Sequence, residues 1–158
     1  MNEVRKSALV AFPAERMFDL IEAAEHYPLF LPWCAEVAVL ARDDDAVSAK
    51  ITVAYRGLRF QFATRNPKRR PAFMAIRLEQ GPFRHFSGEW HLAALGPEAS
   101  KIEFCLAYEF QSTLMGKLAG PVLERMANTV VDAFVERAQT LYGGAPGEID
   151  RESDAELG

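Results

Sequence analysis

Between Glu36 and Phe110 the apolar residues fall on every second position in one stretch after another, and short polar turns separate the stretches. Side chains alternate between the two faces of a strand, so this period of two predicts β-structure. Val37 and Val39 open the series. Val47, Ala49, Ile51, Val53 and Tyr55 share the next face, followed by Leu58, Phe60, Phe62 and Thr64. Met74, Ile76 and Leu78 come next, then Phe86, Gly88, Trp90 and Leu92, and lastly Ile102, Phe104, Leu106, Tyr108 and Phe110. Turns are marked by Asp43-Asp44-Asp45, Arg56-Gly57, Gln80-Gly81-Pro82 and Gly96-Pro97. A further, basic turn is predicted at Asn66-Pro67-Lys68-Arg69-Arg70-Pro71, because proline cannot donate to a sheet ladder. Strands joined by such short turns pair with their sequence neighbours, which makes an antiparallel meander.

After the last of these strands the period changes. Ser112 suits a helix N-cap, where a hydroxyl can accept from a free backbone N–H. From 113 to 142 the polar residues Lys117, Glu124, Arg125, Asn128, Asp132, Glu136 and Gln139 fall in one sector of about 120° on a helical wheel. Met115, Ala119, Val122, Leu123, Met126, Ala127, Val130, Ala133, Phe134 and Leu141 fill the opposite side. A proline inside a helix lacks its N–H and crowds the carbonyl four residues back. A break is therefore expected at Gly120-Pro121. The long helix should begin near Pro121 and run about 33 Å to the stop signal Gly143-Gly144.

Ahead of the meander, residues 3–12 alternate as a strand, with Val4, Lys6, Ala8 and Val10 on one face and Pro13 at its end. Met17, Phe18, Leu20 and Ile21 recur at helical spacing and predict a short helix over 13–23. The next stretch, HYPLFLPWC (26–34), has two prolines among large apolar residues and reads as a compact greasy loop or a broken short helix.

A chain of 158 residues suits one domain, taken as residues 1–142. Residues 143–158 contain Glu148, Asp150, Glu152, Asp154 and Glu156 against Arg151, and so account for the whole net charge of −4. That tail offers little apolar surface to bury and is expected to be disordered. The rest of the chain is neutral, which argues neither for nor against nucleic acid. Two cysteines, Cys34 and Cys105, are too few for a disulfide scaffold or a metal cluster. No apolar run approaches the ~18 residues of a membrane span, and Met1–Arg5 lacks a signal-peptide core. Cytoplasmic residence with reduced thiols is the expectation.

The inward faces of the strands are large, and one amphipathic helix must cover them. A strongly twisted, curved sheet wrapped around that helix does so, which makes the fold α+β. Such a wrap leaves room between helix and sheet, either filled as core or open as a cavity.

The order of elements and several strings resemble the coenzyme Q-binding START-domain family, within the polyketide cyclase/START-like superfamily, which includes bacterial ribosome-association toxin proteins. The strings are YPLFLPWC (27–34), FATRNP (62–67), GPFRHFSGEW (81–90) and IEFCLAYEFQS (102–112), running on into LAGPVLERMANTVVDAFVERA (118–138). The resemblance covers Arg5 to Tyr142. Pro121 and Leu123 depart from it, where a non-proline and a phenylalanine are expected. It implies a helix-grip fold of about seven strands with one or two short helices after the first. It also implies non-catalytic binding of ubiquinone or a similar polyprenyl lipid in support of respiratory electron transport, with no required cofactor. The toxin branch implies instead a regulator that binds ribosomal subunits and inhibits their association.

Candidate ligand contacts follow. Tyr27, Pro28, Phe30, Leu31 and Trp33, with Pro32, would form a mobile lid or a patch that dips into a membrane interface, where Trp and Tyr sit well. Phe60, Phe62, Phe86, Trp90, Phe104 and Tyr108 would line the sheet side of a cavity, facing Val122, Met126, Val130 and Phe134. The polar atoms of Trp90 and Tyr108 would orient a carbonyl head group. Arg65, Lys68, Arg69 and Arg70, near Arg56 and Arg59, are candidate contacts to ribosomal RNA or anionic lipid, with the inner face of the membrane as a peripheral station. No RNA-recognition aromatic motif accompanies them.

His85, Glu89 and His91 share an outward parity. The two histidines lie about 20 Å apart along a strand, too far to share a zinc ion, and no metal is expected. No nucleophile elbow, zinc-protease or phosphate-loop motif is present, and Cys34 and Cys105 have no catalytic setting. A polyketide cyclase-like enzyme is a lesser alternative. It needs an acid or base facing inward, where only Tyr108 and Thr64 are available.

Overall fold

The computed structural model describes residues 1–143. The expectation for the acidic tail concerns residues that, apart from Gly143, lie outside them. The chain forms β1 (Asn2–Val10), α1 (Ala14–Glu22), a short 3₁₀ helix (Ala24–Leu29), β2 (Cys34–Arg42), β3 (Ala46–Tyr55), β4 (Leu58–Arg69), β5 (Phe73–Gln80), β6 (Phe83–Gly96), β7 (Ala99–Phe110) and α2 (Thr113–Tyr142). The strands make one antiparallel sheet in the order β1-β7-β6-β5-β4-β3-β2. The meander is as the alternation predicts, and β1 returns to pair with the last strand. β1 and β2 are therefore opposite edges, and α1 with the 3₁₀ helix carries the chain between them.

Several local features bend this sheet around α2. Register shifts occur between Cys34 and Glu36, Val39 and Ala41, Ala63 and Thr64, Phe83 and His85, and Ala94 and Gly96. Each inserts an unpaired residue on one strand and increases the local twist. The β3–β4 hairpin closes on Arg56 and Gly57, both at positive φ (51° and 85°), as a tight two-residue turn between right-twisted strands requires. Gly88 lies at mid-sheet, where an added Cβ would stand 3.0 Å from the Cys105 carbonyl oxygen.

Two expectations are corrected here. The basic turn is not a turn over its whole length: β4 continues through Asn66, Pro67 and Lys68 to Arg69. Pro67 is tolerated because the β4–β5 ladder is interrupted between the Arg65–Arg77 and Lys68–Met74 pairs, so its missing N–H costs no ladder bond on that side. Nor does Pro121 start the long helix. α2 runs unbroken for 30 residues from Thr113, about 45 Å. Ser112 caps it as expected, its hydroxyl accepting from the Met115 N–H at 3.0 Å. Pro121 stands on the exposed side of the helix, where the carbonyl it fails to satisfy can be hydrated.

The core lies between α2 and the concave face of the sheet, closed at one end by α1. Met17, Phe18, Ile21, Ile102, Leu123 and Phe134 are buried almost completely. Charged groups fasten α1 and the 3₁₀ helix to the sheet. Glu22 accepts from Arg42 Nε at 2.8 Å and from Lys68 Nζ at 2.9 Å, while Glu25 accepts from Arg42 at 2.6 Å. The Arg42 hydrogen bond holds the Glu25 carboxyl below the usual range. Only 9% of the Lys68 side chain is exposed. Glu22→Ala strands this ammonium beside the core and is expected to cost about 1–2 kcal/mol. The check is urea unfolding: the midpoint falls with no change in the slope. An unchanged midpoint would show that the link contributes nothing.

Candidate functional site

A cavity of about 100 Å³ lies between α2 and the concave face of the sheet. Its walls are mostly apolar. β4 contributes Phe62, Thr64 and Asn66, β5 contributes Met74 and Ile76, β6 contributes Phe86 and Trp90, and β7 contributes Phe104 and Leu106. These positions repeat every two residues within each strand, so one pleated face supplies them all. α2 closes the other side with Leu123, Met126, Ala127, Val130 and Phe134, at helical spacing. Tyr27, Leu31 and Trp33 form the remaining wall, with Ile51 of β3.

Outside that wall lies a groove of about 380 Å³, between Phe30, Pro32 and Tyr55 on one side and Val122, Arg125, Thr129, Ala133 and the acidic pair Asp132 and Glu136 on the other. Leu31 and Trp33 face both spaces. They stand between the apolar cavity and the outer groove.

Of the ligand contacts expected from sequence, Tyr27, Leu31, Trp33, Phe62, Phe86, Trp90, Phe104, Met126 and Val130 meet at the cavity. Phe30 and Val122 line the outer groove instead. Pro28, half-buried in the 3₁₀ helix, lines neither. Phe60 and Tyr108 are buried farther along the sheet, packed against Phe110 with ring centroids 6.4 and 6.2 Å away. Strand parity sends Tyr108 inward as read, but its position along β7 puts it beyond the cavity, so Trp90 stands there without it.

The 27–34 segment is a packed plug, not the loosely bonded lid expected. The Phe30 and Leu31 N–H groups donate to the Tyr27 carbonyl, Cys34 N–H to the Leu31 carbonyl, and Ala54 N–H of β3 to the Trp33 carbonyl. The Tyr27 hydroxyl donates to the Ile21 carbonyl. Burial, reinforced by the nearby Cys34, Glu22 and Glu25, raises the Tyr27 phenol above its ordinary range. Tyr27 and Phe30 both stand edge-on to Phe134, with centroids 5.5 and 5.2 Å away. Burial also pushes the Cys34 thiol up to about 11, which leaves it protonated and a poor nucleophile at neutral pH.

The basic residues divide. Lys68 is held by Glu22, and Arg70 donates to Asp19 at 3.0 Å. Arg65 and Arg69 are exposed and form no ion pair among the described residues. His91 and Glu89 form a surface pair at 2.8 Å, on the outward face expected for them.

Asn66 is the polar cavity residue whose importance the sequence hides. Thr64 is legible from the Phe60–Phe62 alternation. Asn66 continues the same alternation, but the adjacent proline masks it as a turn residue. Its side-chain Nδ2 lies 3.9 Å from the Met74 sulfur, and its Oδ1 is buried without a hydrogen-bond partner.

A curved seven-stranded sheet gripping one long helix, with an apolar hollow between them, defines a START-like helix-grip domain. The chain belongs to the family described as polyketide cyclase / dehydrase and lipid transport, which it matches over residues 10–135. It is 40% identical over 142 residues to the ribosome association toxin RatA of Pseudomonas aeruginosa, a match that takes in 90% of this chain and 99% of that one. The coenzyme Q-binding protein COQ10 homolog B, mitochondrial, of Xenopus laevis is 23% identical, over 89% of this chain and 59% of its own. Among solved structures, the Zhui aromatase/cyclase from Streptomyces superposes with a TM-score of 0.77 at 18% identity, covering 91% of this chain and 98% of that one. A START superfamily protein from Mycobacterium smegmatis gives 0.70 at 24% identity, covering 88% and 98%. At these identities the two structures speak for the fold alone. Among the described residues no helix is long and apolar enough to cross a membrane.

Proposed function

We propose that this chain binds a lipophilic ring-bearing ligand, such as ubiquinone or a related polyprenyl lipid, between the sheet and α2. The observation that carries this reading is the apolar cavity between sheet and helix, with Leu31 and Trp33 lining both it and the adjoining surface groove. At about 100 Å³ the cavity is smaller than one that admits benzene, whereas cavity and groove joined fall in the range of ordinary ligand sites. Uptake therefore requires Leu31 and Trp33 to swing aside, with the ring inside and the tail along the groove. Apolar burial at about 25 cal/mol per Å² drives it. The role is carrying or sensing the lipid, without catalysis. In support, among the described residues no carboxylate, imidazole or amine lines the cavity, and the phenol that does, Tyr27, donates its hydroxyl proton to the Ile21 carbonyl. The lipid source is the inner face of a membrane, met peripherally from the cytoplasm.

The test is mass spectrometry of an organic extract of the purified chain. A polyprenyl quinone or similar lipid is expected in amounts approaching one per chain. Its repeated absence, with no uptake from added vesicles containing quinone, sinks the reading.

A second reading, action on the association of ribosomal subunits, is favoured by the 40% identity to a ribosome association toxin. Arg65 and Arg69 are its available cationic contacts. Added protein is then expected to deplete the joined ribosome peak in a sucrose gradient. Arg65→Ala with Arg69→Ala should weaken that effect without lowering stability, because neither side chain is committed to an ion pair among the described residues. An unaltered gradient removes this reading and leaves the first untouched.

A further inference from the structure

We propose that Asn66 makes the cavity selective for ligands that carry a hydrogen-bond donor on the ring, a phenol or hydroquinone hydroxyl, over analogues that cannot donate. This rests on the reading of the cavity as a ligand site. Asn66 Oδ1 is the one buried side-chain polar atom without a protein hydrogen-bond partner among the described residues. An unpaired acceptor away from water loses hydration with nothing in return, and native proteins leave few of them. Turning the amide over would give up its one side-chain contact. Its Nδ2 faces the Met74 sulfur at 3.9 Å, and reversal would set the oxygen against another acceptor. The amide thus has its donor side occupied and its acceptor side vacant, in a residue that lines the cavity. Thr64, fully buried two positions earlier on the same strand face, supplies a hydroxyl at the same end. The rest of the wall is mostly apolar, so a ligand donor placed here meets its partner at this end.

A ring hydroxyl pointing at Asn66 satisfies the vacant acceptor, whereas a bare ring or an aryl ether leaves it unpaired in a site sealed by ligand. A site built around one hydrogen bond discriminates strongly against the analogue that lacks it. The ring that binds best is therefore the hydroxyl-bearing, reduced form of a quinone-like ligand.

The experiment is calorimetric titration of the purified full chain with 4-hexylphenol, hexylbenzene and 4-hexylanisole, which share a ring and an alkyl tail. The phenol is expected to bind about tenfold tighter than either analogue, the effect of one buried hydrogen bond with its acceptor otherwise stranded. In Asn66→Leu the preference should fall to about twofold or less while hexylbenzene binds as before, the leucine having no acceptor to satisfy. Met74→Leu, which conserves core volume, frees the amide to turn and should also shrink the preference. Equal binding of all three probes by the unmodified chain overturns the assignment to Asn66 and leaves the cavity reading standing. Binding of none overturns both. A preference that survives in Asn66→Leu and Met74→Leu alike also overturns it.

Discussion

Phe134→Ala is expected to destabilise the chain by about 3–5 kcal/mol, the range for removing a buried aromatic ring. Phe134 is 1% exposed and joins three parts of the molecule. Its ring stands edge-on to Tyr27 and Phe30 of the plug and to Trp90 of β6, with centroids 5.5, 5.2 and 5.3 Å away. Such pairs add to the burial term of each ring. The site cannot collapse to recover the loss, because it already borders a cavity and the sheet behind it is held by its ladders. A shift of about 10 °C in the thermal midpoint is expected for a domain of this size. Circular dichroism melts of the unmodified chain and of Phe134→Ala at one pH measure it. Phe134→Leu, which restores most of the apolar contact, should recover more than half. A shift under about 2 °C for the alanine variant would mean that the plug and helix are not packed through this ring.

Ala127→Leu is expected to abolish ligand retention, by tenfold or more, while leaving the fold intact. Overpacking a full core costs about 1–3 kcal/mol because neighbours must leave their rotamers. Ala127 is different: it is 2% exposed yet faces open space in the cavity wall, on the helix side opposite Phe86 and Trp90. The added carbons enter space that is vacant in the unliganded chain, so stability should stay within about 1 kcal/mol of the parent. They also occupy the volume a ring would need. The measurement is the lipid content of the two purified chains after identical growth and extraction, beside their melts. Undiminished lipid in a folded Ala127→Leu protein would show that the ligand sits elsewhere, with the outer groove the next place to look. Together the two substitutions separate the roles of positions about two turns apart on α2, Phe134 holding the fold and Ala127 leaving room.

Much of the site is legible in the sequence. Phe62, Phe86, Trp90 and Phe104 could be assigned to one face because a strand turns its side chains over at every residue. Met126 and Val130 followed from helical spacing. Ser112 and the Arg56-Gly57 turn were readable for the same reason, since cap and hairpin chemistry involve only nearby atoms. Where the reading failed, a local rule met a tertiary exception. Proline beside Asn66 marked a turn, but the β4–β5 ladder has a gap there that accommodates it. Gly120-Pro121 marked a break, but Pro121 faces outward on a helix held by the sheet beneath it. The prolines at 28 and 32 suggest a loose lid, but Tyr27 and Phe30 pack edge-on against Phe134 and the Trp33 carbonyl accepts from Ala54 N–H of β3.

By itself, then, the sequence determined which residues face inward, that a meander must close on one long helix, and to which family such a chain belongs. Those properties depend on period, turn chemistry and local caps, which act over a few residues. Only the tertiary structure decided where along the curved sheet the inward residues enclose a hollow, which sets Trp90 and Asn66 at the cavity and Tyr108 beyond it. It alone also showed that Glu22 and Asp19 claim Lys68 and Arg70 from the basic cluster, leaving Arg65 and Arg69. Parity specifies a face but not a depth, and a charge pattern specifies a sign but not a partner. Both are set by bulges, register and contacts between residues far apart in the chain.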